Sequence, residues 1–434
     1  MTRDSRPETL EQWLEYIERV HPSTVELGLE RVQLVRHALG LNPSFPVITV
    51  GGTNGKGSVC AMLEAMLHQA GYRVGCYTSP HLLRYNERVR IGKREARDED
   101  LVRAFAAVEQ ARDETPLTYF EFGTLAAIWL LVEQAVEAAV LEVGLGGRLD
   151  AVNAFDADCA VVVSVDLDHM DYLGGDREAI GYEKAGIFRS QRPAICADVA
   201  APATLKRHAA ELGARLIMIG TDFGYAQRGQ QWDYWGPRGK RSSLPHPVLR
   251  GTTQLGNAAA AITALEALRD RLPVAMNDVR SGLLQADTPG RFQVLPGRPV
   301  LILDVAHNPH AARALAANLD SIERSGRTLA VFAMLRDKDI AGVIEAVKRH
   351  IDHWFIAGIA APRGASAQVL EERLAAAGVT QAVTRCDSVG AACTQACDLA
   401  TENDRILVFG SFYTVAAVMQ LRAQRGSASA GGKM

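Results

Sequence analysis

No stretch constrains this chain more than Val50-Gly51-Gly52-Thr53-Asn54-Gly55-Lys56-Gly57-Ser58. Pro46 to Val50 is a short apolar, β-branched run, and Val59, Met62, Leu63, Met66 and Leu67 recur at helical spacing until Gly71. The glycine-rich turn is therefore expected between a strand and a helix. Glycines let backbone N–H groups close on an anion, and the helix N-terminus and the Lys56 ammonium add positive potential at the same point. The expectation is a loop that grips the phosphates of a nucleotide. The standard pattern places Ser or Thr directly after the lysine, whereas Gly57 follows Lys56 here and the hydroxyl arrives at Ser58. A metal-ligand role for Ser58 stays open.

A chain of 434 residues, 48% hydrophobic and 22% charged, buries ample core and suits two domains. Its formal charge of -3 lacks the basic excess that sequence-independent nucleic-acid binding requires, so no nucleic-acid partner is expected. Residues 1–20 are charged throughout, and the longest hydrophobic stretch, Leu125 to Leu145, is interrupted by Glu133, Glu137 and Glu142. No signal core and no membrane span is expected, which points to the cytoplasm. Seven cysteines, at 60, 76, 159, 196, 386, 393 and 397, are scattered without a C-x-x-C pair and read as reduced packing residues. Cys393 and Cys397, one helical turn apart, read as helix packing rather than a metal pair.

Strand-like runs at Arg73–Tyr77, Ala138–Val143, Cys159–Ser164 and Pro193–Ala197 alternate with helical patterns, which implies a mostly parallel sheet covered by helices. Trp232 to Leu244 breaks the pattern and reads as an exposed hairpin. A second series, Val300–Val305, Leu329–Met334, Trp354–Ile359 and Ile406–Phe409, is separated by helical segments such as Ala311–Ile322 and Gln368–Ala377. The expected fold is α/β: an N-terminal P-loop ATPase domain with a mostly parallel sheet over 1–292, and a C-terminal Rossmann-like α/β domain over 293–425. A Gly/Ser/Ala-rich tail over 426–434 is expected to be disordered.

Four polar clusters fall near strand ends, where open α/β sheets place ligands. The first is Thr78-Ser79-Pro80-His81-Leu82, followed by Arg84, Asn86, Glu87, Arg88 and Arg90; for these arginines alone a solvated basic hairpin is the favoured reading. In the second, Glu142 lies in a buried-looking strand before Gly144, Gly146, Gly147 and Arg148 and needs a partner, either Mg²⁺ or a salt bridge to Arg148. Asp166, Asp168, His169 and Asp171, the third, suit a metal or a general base. The fourth puts Lys184 on a short helix among small and apolar neighbours; a lowered pKa and snorkelling to solvent are the two readings.

Together Gly52 to Ser58, Thr78 to Leu82, Glu142 to Asp150, Asp168-His169 and Glu183-Lys184-Ala185-Gly186-Ile187 resemble the folylpolyglutamate synthase family, nearest its bacterial bifunctional dihydrofolate synthase branch, within the Mur ligases. The resemblance continues in order through Gln254 to Ala258, Pro289 to Phe292, Asp304 to His310 and Gly410-Ser411-Phe412. It implies a Mur-ligase-like architecture with ATP between the domains: Asn54, Gly55, Lys56, Gly57 and Ser58 at the phosphates, and Asn257, Arg291 and Asp304 completing the nucleotide site. It further implies Ser79, Glu142, His169 and a carbamylated Lys184 as ligands for two magnesium ions, with Lys56, Lys184 and His169 as the catalytic group. Glu26, Leu27, Thr118, Tyr119, Phe120, Glu121, Leu149, Asp150 and Ala151 would contact the pteridine substrate. His307 and Ser411, at strand ends, are candidates for placing glutamate.

The implied reaction passes the γ-phosphoryl group of ATP to a substrate carboxylate, after which the amine of L-glutamate displaces phosphate to make an amide. The substrates are dihydropteroate and tetrahydrofolates, and the resemblance suggests a monomer. A peptidoglycan Mur ligase would carry a dedicated N-terminal UDP-sugar domain, yet the phosphate loop starts near residue 51. A folate enzyme limited to polyglutamylation is a further alternative. An ATP-hydrolysing switch protein would not require the pteridine-contact matches.

Overall fold

Val47, Ile48 and Val50 are apolar and β-branched, and β1 (Val47–Gly51) is buried along its whole length as the centre of a sheet. In this computed structural model, which describes residues 7–23, 25–323 and 326–431, β1 pairs in parallel with β5 on one side and β6 on the other. The sheet is built from β1, β2 (Val74–Tyr77), β3 (Val89–Ile91), β4 (Arg94–Glu95), β5 (Ala138–Glu142), β6 (Cys159–Val162), β7 (Pro193–Cys196) and β8 (Arg215–Met218). Its order is β4-β3-β2-β5-β1-β6-β7-β8. The chain leaves β1 toward β2 and β5 on one flank and returns to β6 on the other, so the C-terminal end of β1 is a topological switch point. Registers Val50↔Glu142 and Gly51↔Val162 bring the ends of β5 and β6 level with the phosphate loop.

The Lys56–Gln69 helix is buried along most of its length and packs against the Met276–Gln285 helix, where a Cβ on Gly282 would stand 2.7 Å from the Met66 backbone. Trp13, Ile17, Phe105, Phe122 and Leu125 belong to one apolar core cluster, and Ile180, Ile187, Phe188 and Leu205 to another. A separate sheet of order β11-β10-β9 joins β9 (Gly224–Arg228), β10 (Gln231–Gly236) and β11 (Gly239–Pro245). The 232–244 segment is the expected hairpin but is not simply exposed: Trp232, Tyr234 and Leu244 are fully buried, because alternate residues of these strands face inward.

The chain divides into two units, Met1–Val248 with Leu255–Asp287, and Leu249–Gln254 with Thr288–Met434. The second unit thus begins before the expected position 293. Val305 N donates to Gly290 O at 2.8 Å and Phe292 N to Asp304 Oδ2 at 2.9 Å, which ties 290–292 to the later strands. Likewise Thr252 N donates to Asn318 Oδ1 at 2.8 Å and draws 249–254 into the same unit. Its sheet has the order β12-β13-β17-β14-β15-β16, from β12 (Gln293–Leu295), β13 (Val300–Asp304), β14 (Thr328–Phe332), β15 (His353–Ala357), β16 (Ala382–Cys386) and β17 (Arg405–Phe409). Only β12 is antiparallel, as the Rossmann-like expectation requires of a parallel core.

The tail expected to be disordered continues the Phe412–Gly431 helix instead, each added residue costing little once buried Val415 and Val418 anchor its start; 432–434 lie outside the described residues. Among the described residues no cysteine forms a disulfide, and all but Cys397 are buried. No described helix is long and apolar enough to cross a membrane.

Candidate active site

Gly55 caps the Lys56–Gln69 helix at φ +87°, and Gly52 stands at φ +142°, both in the region that glycine enters without strain. A Cβ on Gly55 would meet Val163 Cγ1 at 2.8 Å and Asn257 Oδ1 at 3.0 Å, so Asn257 lies against the phosphate loop. Ser164, unremarked in the sequence, braces the loop. Its hydroxyl accepts from Asn54 N and donates to Asn54 O, each at 3.0 Å, and its carbonyl accepts from Thr53 N at 2.8 Å. Thr53 Oγ1 donates to Asp166 O and accepts from Asp166 N, both at 3.0 Å, which fastens the loop to the segment bearing Asp168 and His169. Lys56 Nζ donates back to Gly52 O at 3.0 Å and Thr53 O at 3.3 Å, folding the ammonium over the loop. Ser58 is buried in the first helical turn.

Glu142, at the end of β5, is 2% exposed and accepts from Ser79 N at 3.1 Å, so two of the expected metal ligands adjoin. The alternative bridge from Glu142 to Arg148 is replaced: Arg148 donates to Glu183 Oε1 from Nε at 3.1 Å and from Nη2 at 2.9 Å. His169 adopts φ +50°, and its backbone N–H donates to Asp168 Oδ1 at 2.9 Å. Among the described residues no three or more His, Cys, Asp or Glu side chains gather as a metal-holding group.

Lys184 is 3% exposed and does not snorkel. Burial lowers its ammonium to about 7, with the Lys56 charge acting in the same direction and Asp168 and Asp150 opposing. Asp150 is raised to about 6 by burial, against backbone donors at Leu145 N (2.8 Å) and Val152 N (3.0 Å) and the charge of Lys56. Lys56 therefore acts electrostatically on both Lys184 and Asp150, which gathers three separate sequence clusters at one end of the sheet.

The pteridine candidates meet through Arg31, which carries no sequence signal. It donates to Glu121 Oε1 at 2.9 Å and to Glu26 O at 3.1 Å, and pairs with Glu26 Oε1. Thr118 and Glu121 form the capping box of the Tyr119–Glu133 helix, Thr118 N to Glu121 Oε2 at 2.8 Å and Glu121 N to Thr118 Oγ1 at 3.2 Å. Tyr119 and Phe120 are half-buried, as are Leu27 and Leu149, and Asp150 caps the Ala151–Ala154 turn.

In the second unit, Phe412 brings two candidates together: Arg291 lies 5.7 Å from its ring centroid and the His307 ring 6.0 Å. Burial raises Asp304 to about 6, opposed by bonds from Ala306 N (2.7 Å) and Phe292 N (2.9 Å) and by Arg291. Ser411 is buried and its hydroxyl accepts from Tyr413 N at 3.1 Å, a loop bond beside the same Phe412.

Two family models match along the chain, the Mur ligase middle domain over residues 50–265 and the Mur ligase glutamate ligase domain over 290–412. The dihydrofolate synthase/folylpolyglutamate synthase of Escherichia coli (strain K12) is 46% identical over 425 residues, 98% of this chain and 97% of the relative. The structure of E. coli FolC in complex with DHPP and ADP superposes with a TM-score of 0.92 at 46% identity, covering 96% of this chain and 98% of that one. A bifunctional folylpolyglutamate synthase/dihydrofolate synthase with Mn, AMPPNP and L-glutamate bound gives 0.89 at 44% identity, with coverage of 96% and 98%. Likeness of this extent, with the motifs in the same order, means that the chain belongs to the dihydrofolate synthase/folylpolyglutamate synthase family of Mur ligases.

Proposed function

We propose that the chain is a bifunctional ATP-dependent ligase that joins L-glutamate to dihydropteroate, making dihydrofolate, and adds further glutamates to tetrahydrofolates. The observation that carries this reading is the bonding that draws separate segments together at the ends of the central strands: Thr53 to Asp166, Ser79 N to Glu142, and Arg148 N to Glu183 O beside Lys184. A phosphate cradle, a carbamate candidate and a pteridine-contact segment thereby converge. The names and bound molecules of the relatives support the same substrates: DHPP and ADP in one, Mn, AMPPNP and L-glutamate in another.

The chemistry balances in two steps. A carboxylate oxygen of the pteroyl substrate attacks the γ-phosphorus of ATP, the bond to the bridging oxygen breaks, and ADP departs with the electron pair. The glutamate amine then attacks the acyl carbon, phosphate leaves, and the surplus proton on nitrogen is released. Both reactants of the first step are anions, so Lys56 and Arg291 are assigned to lower the barrier by neutralising charge and aligning the attack. Asn54, Gly55, Gly57 and Ser58 hold the phosphates, Asn257 and Asp304 complete the nucleotide contacts, and His307 and Ser411 place glutamate.

Ser79, Glu142, His169 and Lys184 are the residues that would hold two magnesium ions. The buried amine of Lys184, neutral in good part near pH 7, fits addition of carbon dioxide, which forms a carbamate oxygen donor and releases a proton. Magnesium, when bound, supplies charge neutralisation at the triphosphate. We read the enzyme as a cytoplasmic monomer on family grounds.

The deciding experiment measures phosphate release from ATP and magnesium with dihydropteroate or tetrahydrofolate, each with and without L-glutamate, with products identified by mass. Glutamyl products from both acceptors support the bifunctional ligase. Products from tetrahydrofolate alone mean a polyglutamylating enzyme, and hydrolysis independent of glutamate with neither acceptor overturns the ligase.

A further inference from the structure

The basic run at 84–90 does not form the solvated face expected of it, and its three arginines have different fates. Arg84 is exposed and pairs with Glu95, while Arg90 pairs with Glu64 at 2.8 Å. Arg88 is 9% exposed and, among the described residues, pairs with no carboxylate. Its Nε donates to His81 Nδ1 at 2.8 Å, and its guanidinium lies 5.3 Å from the Tyr85 ring centroid and 5.5 Å from that of Tyr119. Because Nδ1 of His81 accepts this bond, the ring presents its own proton on Nε2.

The nearby carboxylates are engaged elsewhere. Glu87 accepts from Leu82 N, Leu83 N and Arg84 N at 2.7, 2.7 and 2.8 Å, and Asp150 is held by Leu145 N and Val152 N. A buried guanidinium without an anion is expensive, and two tyrosine faces offset only part of that cost. One N–H of Arg88 goes to His81, leaving donors for a carboxylate in the two-pronged arrangement arginine favours.

Position identifies the anion. Tyr119 adjoins Phe120 in the pteridine-contact segment, while Thr78 N, beside Ser79, donates to Arg88 O at 2.9 Å. Arg88 thus lies between the pteridine end and the phosphoryl-transfer end, and His81 and Tyr119 are only half-buried, so a ligand can reach the cluster. We propose that Arg88 receives a carboxylate on the aminobenzoyl end of the pteroyl substrate. This rests on the pteroyl-ligase reading above and adds a residue to its substrate site.

The test is equilibrium binding, by titration calorimetry on the full chain with ADP and magnesium present, of pteroic acid and of its primary carboxamide. Wild type is expected to prefer the acid by about 10-fold or more, one charge-assisted pair. Arg88→Gln should abolish the preference by weakening the acid alone, with ADP affinity and melting temperature near wild type, and Arg88→Lys should restore part of it. Equal affinity of wild type for acid and amide, or a preference retained in Arg88→Gln, overturns the assignment; the wild-type comparison decides even if the variants fold poorly. Wild type binding neither probe overturns the pteroyl reading itself, an outcome distinct from equal binding of both.

Discussion

Arg90 donates to the carboxylate of Glu64 from both Nε and Nη2, at distances of 2.8 to 3.1 Å, inside the sheet edge of the first unit. Glu64 lies two turns into the phosphate-loop helix, and Arg90 also holds Thr78 Oγ1 at 3.1 Å and Glu87 O at 2.9 Å. The pair therefore couples that helix to the segment leading into Ser79. Removing Arg90 leaves a buried carboxylate, so Arg90→Met should destabilise by about 3–5 kcal/mol. Adding Glu64→Gln should recover much of this in a double-mutant cycle read by urea unfolding. An unchanged midpoint for Arg90→Met would show that the pair carries no stability.

Lys56→Ala should affect turnover far more than folding. The substitution removes two bonds to loop carbonyls, a loss of about 1 kcal/mol. Losing a preorganised charge at the transferring phosphoryl group should lower turnover by about 10²–10³-fold. Phosphate release and thermal unfolding measured side by side check both, and near-normal turnover would refute the phosphate-cradle role.

Arg31 joins two pteridine-contact segments, so its loss should be felt at that substrate and not at ATP. Arg31→Met should raise the KM for the pteroyl substrate about 10-fold, equivalent to roughly 1.4 kcal/mol, while the KM for ATP stays within about twofold. Arg31→Lys should rescue part of the effect. Equal changes in both constants would indicate a general disturbance of the fold.

Asp404 provides a pH signature in the second unit. Burial acts to raise its carboxyl, but the Arg327 guanidinium and the N–H groups of Thr401 and Arg327 outweigh this and hold it well below its ordinary value of 3.8. The unfolded chain binds the proton more readily, so the stabilisation is complete above the ordinary value and is lost as pH falls through the folded one. Asp404→Asn should therefore cost about 1–3 kcal/mol at neutral pH, with the deficit shrinking as the pH is lowered to about 3 in parallel unfolding curves. A deficit constant with pH would count against the ion pair.

Much of the fold was legible because its signals are local. The strand, glycine turn and helix at 46–71 are recovered to within a residue or two, as are four of the later strands, β13, β14, β15 and β17. Short elements without an apolar run, such as Arg94–Glu95 and Ala382–Cys386, left no periodic trace. In the candidate site, the proximity of Ser79 to Glu142 and of Asn257 to Gly55 was anticipated only through the family resemblance, since no spacing rule joins residues so far apart in sequence.

By itself the sequence determined the phosphate loop, the α/β alternation, the order of motifs and hence the family. Glycine conformations, helix starts and hydrophobic periods depend on adjacent residues and are written there directly. Only the tertiary structure decided which charges are buried and with whom: Arg90 on Glu64, Arg148 on Glu183 rather than Glu142, Arg31 on Glu121, and Arg88 between two tyrosines with no carboxylate among the described residues. The physical reason is that burial and charge pairing depend on segments that meet only when the sheet closes, and a basic run reads alike whether its arginines face water or the core.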